Sequence, residues 1–317
     1  MKKILILGAS GFIGKNLVLY LSKYKEFRCI GVYRKNFPKE LNKTKLIKCD
    51  LTVKTQVDKL FKKIKPDIVI NAAATTSGAK DIISKPYIHV NDNAIINSMI
   101  TRSSFEANVK HLIIFSCTVM YRSSSKKLKE KDFDANAEMY PNYFGAGWMK
   151  VFVEKMSEFY SRISDTKYTL IRHSNVYGQY DKFDLEKSHV FGASITKVML
   201  AKKEVVVWGA GNESRDLIHI DDLLRFVLCA IKRQKNKFGL YNVGLSKNIK
   251  IKDLVKKIIK YSRKSLQIKY DLKKITLANN VKLDISKAKK ELGWEPKIDI
   301  DEGIVKTLRW YNNNFKN

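Results

Sequence analysis

The sequence predicts an α/β chain, a doubly wound parallel sheet of Rossmann type with a smaller C-terminal α/β lobe closing over it. Three observations carry that expectation. Ile4-Leu-Ile-Leu7 is an apolar run of the length and kind that is buried on both faces of a parallel sheet. Gly8, Gly11 and Gly14 follow it at once and lead into an apolar set at helical spacing, Phe12, Ile13, Leu17, Tyr20 and Leu21. Strand-like and helix-like segments then alternate with short connections, the pattern of βαβ units.

In order, the spacing predicts strands over 27–33, 45–49, 68–70, 112–115 and 168–172, and helices over 55–65, 92–107 and 144–161. Residues 123–137 read as a polar loop. After Gly178 the pattern changes: helices over 194–200, 221–232, 251–263, 285–292 and 301–311, strands over 204–208, 238–243 and 266–270, and a turn at 212–215. We expect residues 1–175 to form the dinucleotide-binding domain, with 216–245 returning to it, and 176–215 and 246–317 to form the substrate lobe.

The 317 residues, 44% of them apolar, suffice for one large two-lobed domain or two domains. No apolar run has the length of a membrane span, so no membrane partner is expected. Cys29, Cys49, Cys117 and Cys229 lack metal-ligand spacing and read as reduced thiols, which points to a cytoplasmic protein without a metal site. The net charge of +30 comes from lysines spread along the polar sides of amphipathic helices. With no nucleic-acid motif beside them, they read as a solvated surface rather than a nucleic-acid interface.

A strand ending in a glycine turn that opens a helix suits a pyrophosphate: the backbone comes close, and the helix N-terminus offers free N–H groups and a positive dipole end. Gly8, Ser10, Gly11, Phe12, Ile13 and Gly14 are therefore expected to bind a cofactor. Arg34 and Lys35 stand where an acid would hold the ribose of NAD, which points to NADP; an Arg stacked on adenine keeps NAD open. Asp50 and Leu51, and Ala72, Ala73 and Ala74 after Asn71, continue the groove at later strand ends, where ligands of such sheets bind.

Further motifs extend along the chain: Val90-Asn91, Arg172-His-Ser-Asn175-Val-Tyr-Gly178, Arg215-Asp-Leu-Ile-His-Ile-Asp-Asp222 and Leu292-Gly-Trp-Glu-Pro296. Together with the glycine turn, this set resembles the extended short-chain dehydrogenase/reductase family, the NAD-dependent epimerases and dehydratases that modify nucleotide sugars. The likeness is clearest to its GDP-fucose synthase type, through Asn175-Val-Tyr-Gly-Gln-Tyr-Asp-Lys-Phe183, Ser188-His-Val190 and Val205-Val-Val-Trp-Gly209.

The resemblance implies hydride transfer at a sugar carbon, usually C4, with a Tyr-x-x-x-Lys pair as acid/base and ribose anchor. Lys150 matches the lysine. The tyrosine position holds Ala146, whose methyl group carries no proton. The family's Ser/Thr aligns with Cys117, flanked by Ser116 and Thr118. Tyr143 is a replacement candidate, with Tyr140, Thr118 and His173 as others, and His173 is also expected beneath the nicotinamide. Asn91 joins the cofactor residues. The epimerising cysteine of the GDP-fucose synthase type falls near Val119, and its partner histidine matches His189. Asn175, His189, Val190, Lys197, Trp208 and Arg215 are expected at the substrate, with Arg215 and Lys197 on its diphosphate.

The expected activity is thus an NAD- or NADP-dependent oxidoreductase acting on a nucleotide-linked, GDP-type sugar for surface polysaccharide. The alternatives are a GDP-sugar epimerase/reductase and a non-catalytic NAD(P)-binding homologue. The family commonly dimerises through the helices predicted here at 92–107 and 144–161, so a homodimer or higher homo-oligomer is expected.

Overall fold

The protein is described by a computed structural model covering residues 1–75, 85–186, 188–274, 276 and 280–315. Strand β1 (Lys2–Leu7) sits at its centre. Along a strand successive side chains point to opposite faces, so Ile4 and Ile6 enter one apolar core and Leu5 and Leu7 the other, all fully buried. That is why the run is apolar without alternation.

The central sheet adds β2 (Phe27–Tyr33), β3 (Lys45–Lys48), β4 (Ile68–Asn71), β5 (His111–Phe115), β7 (Lys167–His173) and β11 (Phe238–Val243). The order is β11-β7-β5-β4-β1-β2-β3 and every pairing is parallel. On one face lie α1 (Phe12–Leu21) and α6 (Ile220–Arg233), burying Leu17, Val18, Leu21, Leu223 and Val227. On the other lie α2 (Lys54–Ile64), α3 (Asn91–Glu106) and α4 (Phe144–Ile163), burying Val57, Phe61, Ile96, Ile100, Met149 and Val153. The chain runs from β1 out to β3 and returns to β4 on the other side of β1. This reversal of strand order makes a crevice at the carboxyl ends of β1 and β4.

A third core gathers α5 (Val190–Leu200), β9 (Glu204–Trp208), α7 (Ile251–Ser262) and α8 (Ile300–Asn314) around Phe191, Val205, Val207, Leu254 and Ile304. β9 pairs with β13 (Gln267–Asp271). β10 (Ser214–His219) pairs with β8 (Asn175–Tyr177) and β12 (Asn248–Lys250).

The structure departs from the sequence reading in three places. The turn expected at 212–215 ends early, because Ser214 and Arg215 already belong to β10, recruited by Ile249 and Lys250 across the sheet. The polar segment 123–137 contains β6 (Lys127–Leu128), paired with β14 (Lys282–Leu283). The helix expected from 194 starts at Val190, after His189 in extended conformation.

Among the described residues no helix is long and apolar enough to cross a membrane.

Candidate active site

The glycine turn is built by close approach. Gly8 has φ +80, and a Cβ there would lie 2.8 Å from the Ala72 carbonyl oxygen and from Ala73. A Cβ on Gly14 would lie 2.1 Å from the Gly8 carbonyl oxygen. Only hydrogen fits between helix α1 and the turn, or between the turn and the end of β4. Helix α1 has no side-chain cap and no acid in its first turn, so its leading N–H groups are left for an anion. This cradle fits a dinucleotide pyrophosphate. Ser10, Gly11, Phe12 and Ile13 line its outer edge, half-buried or exposed.

The remaining cofactor candidates stand around it. Arg34 is exposed just beyond β2. Asp50 accepts bonds from Thr52 N and Oγ1 (3.0 and 2.7 Å), which hold its carboxyl below the usual range, with Arg34 and Lys35 adding to that. Leu51 is buried. Ala72 donates to the Leu7 carbonyl, which ties the two strand ends together, while Ala74 is exposed. Asn91 is exposed at the first residue of α3. The buried polar work nearby falls to Asn71 and to two residues the sequence reading missed, Asn93 and Asn97: Asn71 donates to Asn97, and Asn93 binds Thr75 and the His89 carbonyl. Asn93 and Asn97, four apart and both buried on α3 beside Ile96 and Ile100, are the signal that marks them.

Lys150 lies on α4, where its Nζ donates to the Phe115 carbonyl at 2.8 Å and so holds the ammonium over the end of β5. Beneath it a buried network fixes the helix against the sheet. Arg172 on β7 binds Glu154 through Nε and Nη2 (2.9 and 2.5 Å). Ser116 donates to Glu154 (2.6 Å), and Arg172 also reaches Tyr121 (2.9 Å), which donates to Asn242. Burial alone would lower the Arg172 pKa; the Glu154 carboxylate more than offsets this and raises it. Burial pushes Tyr121 up to about 12. Ser116 is therefore committed to Glu154 and buried, while Cys117 beside it is half-buried. Burial raises the Cys117 thiol and the Lys150 ammonium pulls it back. His173, lowered to about 4 by burial, is neutral and edge-on to Phe115.

Ala146 stands one turn before Lys150 on α4. Tyr143 ends the short turn Pro141–Tyr143 and caps that helix. Tyr143 lines a cavity of about 470 Å³. Asn175, His189, Val190, Lys197, Trp208 and Arg215 all line the same cavity, although they come from β8, α5 with its cap, β9 and β10. Lys197 donates to the Val206 carbonyl and lies 4.9 Å over the Trp208 ring, with Lys274 on that ring as well. Burial lowers both Lys197 and Arg215, and Tyr143 draws Arg215 part of the way back. A second, smaller cavity of about 60 Å³ shares Tyr143, Asn175 and Arg215 with the first and is lined further by Thr118 and Val119. Val119 offers no thiol there. Glu213, Lys274 and Thr276 also line the large cavity and were not singled out from sequence; they follow no motif, and the fold alone gathers them.

Two of the distal motifs turn out to be internal. Asp216 accepts three backbone N–H bonds, from Leu245, Ser246 and Leu283. Asp222 accepts from Lys297 N and Ile298 N and pairs with Arg225, and its carbonyl receives the Trp294 indole at 3.1 Å.

A model of the NAD dependent epimerase/dehydratase family matches residues 4–244, and the chain belongs to that family. It is similar to a GDP-L-colitose synthase of Yersinia pseudotuberculosis, 28% identical over 99% of both chains. It is also similar to a GDP-L-fucose synthase of Azorhizobium caulinodans, 26% identical over 98% of this chain and 96% of that one. In three dimensions it matches a UDP-glucose 4-epimerase from Bifidobacterium longum in complex with NAD+ and UDP, with a TM-score of 0.83 at 21% identity over 98% of each chain.

Proposed function

We propose that this member of the NAD-dependent epimerase/dehydratase family is an NAD(P)-dependent oxidoreductase that transfers hydride at a ring carbon, C4, of a GDP-linked sugar used for surface polysaccharide. The observation that carries the reading is the one cavity lined together by Asn175, His189, Val190, Lys197, Trp208 and Arg215, and by Tyr143, the residue just before the helix that bears Lys150. Two similar proteins with GDP-sugar names support the base.

NAD(P), when bound, supplies the hydride acceptor or donor. The α1 amides and Gly8–Gly14 turn hold its pyrophosphate, and Lys150, already anchored on the Phe115 carbonyl, turns its remaining protons to the nicotinamide ribose. Trp208 offers a face for the guanine, with Lys197 and Arg215 for the diphosphate. Cys117 and Thr118 flank the sugar hydroxyl. Residues 1–175 with 216–245 serve as the dinucleotide domain, and the remainder as the substrate lobe.

The test is incubation of purified protein with GDP-sugars and each pyridine nucleotide, following reduced nicotinamide absorbance. Hydride transfer with a GDP-sugar is expected; none with any nucleotide sugar at any enzyme concentration contradicts the reading. The names of the two relatives favour a second reading, epimerisation before reduction. Val119 and Ala146 oppose it, and absence of solvent deuterium at the carbons beside C4 excludes it.

Exposed Phe144, Phe152, Phe159 and Ile163 on α4 support a homodimer through that helix, which light scattering of the eluted protein checks.

A further inference from the structure

The reaction just proposed needs a proton at the sugar oxygen, and position 146 cannot supply one. Tyr143 stands one turn before Ala146, its backbone set by the turn that Pro141 begins. With Asn175 and Arg215 it is common to the linings of both cavities, so it meets whatever spans the two. Among the described residues nothing hydrogen-bonds Tyr143 Oη, which leaves the hydroxyl for a ligand.

The other candidates are less suited. Tyr140 packs on Tyr143, ring centroids 5.8 Å apart, and lines neither cavity. His173 is turned to the Ser174 carbonyl. Glu213 accepts a bond from Thr276. Electrostatics tie Tyr143 to both sides of the site. Burial keeps its hydroxyl protonated, the Arg215 cation favours its phenolate, and Cys117 raises it while itself responding to Lys150. Arg215 Nη1 donates to the Ser214 carbonyl at 2.8 Å, which holds the guanidinium where the two cavities meet.

We propose that Tyr143 is the acid/base of this site. In reduction Tyr143 Oη gives its proton to the ring carbonyl oxygen while the carbonyl carbon accepts hydride from reduced nicotinamide. The C=O π pair becomes the new O–H bond, and water reprotonates the phenolate that faces Arg215. In oxidation the phenolate takes the proton of the sugar hydroxyl as hydride leaves the same carbon for oxidised nicotinamide. The proposal rests on the NAD(P)–nucleotide-sugar reading above.

The test is Tyr143→Phe, which keeps the ring and its packing. Its fold is checked by thermal melting, its GDP affinity by calorimetry, and its hydride transfer by stopped flow with GDP-mannose and a panel of further GDP-hexoses. The expected result is a loss of about 10²–10⁴-fold in the hydride-transfer rate, with GDP affinity within about threefold of wild type. A variant within about threefold of wild type in rate overturns the proposal and leaves the function standing. A rate loss matched by an equal loss of GDP affinity makes Tyr143 a binding residue and also overturns it. A wild-type protein that moves no hydride to or from any nucleotide sugar overturns both readings together.

Discussion

The glycine turn and the Asp222–Trp294 knot are both built from family motifs, yet they are opposites in polar accounting. At the turn, α1 begins with no side-chain cap and no acid, so no side chain among the described residues caps its leading amides. At the knot, the Asp222 carboxylate takes two backbone N–H groups and Arg225, its carbonyl takes the Trp294 indole, and Trp294 is 1% exposed against Phe226. Buried polar groups that satisfy one another stabilise a fold, whereas polar groups left open at a crevice are available to a ligand. The contrast divides the motifs into those that hold the protein and those that meet its substrates.

The largest expected effect breaks the open side. Gly14→Ala forces a methyl group to within 2.1 Å of the Gly8 carbonyl, so the turn must shift. Dinucleotide affinity should fall by more than about 100-fold and stability by about 3 kcal/mol, measured by calorimetry and denaturant unfolding. Unchanged dinucleotide affinity would place the pyrophosphate elsewhere.

Breaking the closed side should do the reverse. Asp222→Ala strands two backbone amides and an arginine, for a loss of about 3–5 kcal/mol in denaturant unfolding. The folded fraction should keep its dinucleotide affinity. Trp294→Phe removes the indole donor and part of a buried ring, and should cost about 2–3 kcal/mol, again without touching affinity. A weakened dinucleotide site in either variant would blur the division.

Asp181 sharpens it, as a motif residue of intermediate kind. Its Oδ1 accepts the Lys182 amide, while Oδ2 is buried without a partner, and burial pushes its pKa up to about 7. A raised carboxyl binds its proton more tightly folded than unfolded. Its contribution therefore favours the fold at low pH and is lost as pH rises from the unfolded value near 4 to about 7. Asp181→Asn should stabilise the protein by at least about 1 kcal/mol near pH 8 relative to wild type, with the advantage shrinking by about pH 4. Unfolding curves at the two pH values check this; a constant difference would show that folding does not raise the pKa of this carboxyl.

Much of the frame was legible because it repeats over long segments. The β1 run, the alternation of strands with amphipathic helices, and Lys150 followed by Glu154 on one helix face all carry their signal locally. What escaped was short or made by partners. Asn175–Tyr177 is three residues long and becomes a strand only through Leu217–His219 beside it. The same pairing, with β12, pulled Arg215 out of its expected turn. At the candidate site the sequence marked the residues but not their division of labour. Asn91 lies exposed while Asn93 and Asn97 make the buried bonds, and Ser116 is spent on Glu154, leaving Thr118 at the smaller cavity. The start of α4 at Phe144 is where the spacing put it, which leaves Tyr143 in the turn just before the helix; its shared place in the two cavities was not legible, because Asn175 and Arg215 come to it from distant strands.

The central claim is that the bare amides at the start of α1 hold the pyrophosphate of a pyridine dinucleotide. Calorimetric titration of the wild-type protein with NAD+, NADH, NADP+ and NADPH tests it most directly. The account predicts saturable binding of one dinucleotide per chain for at least one of the four, and a folded protein that binds none of them contradicts it.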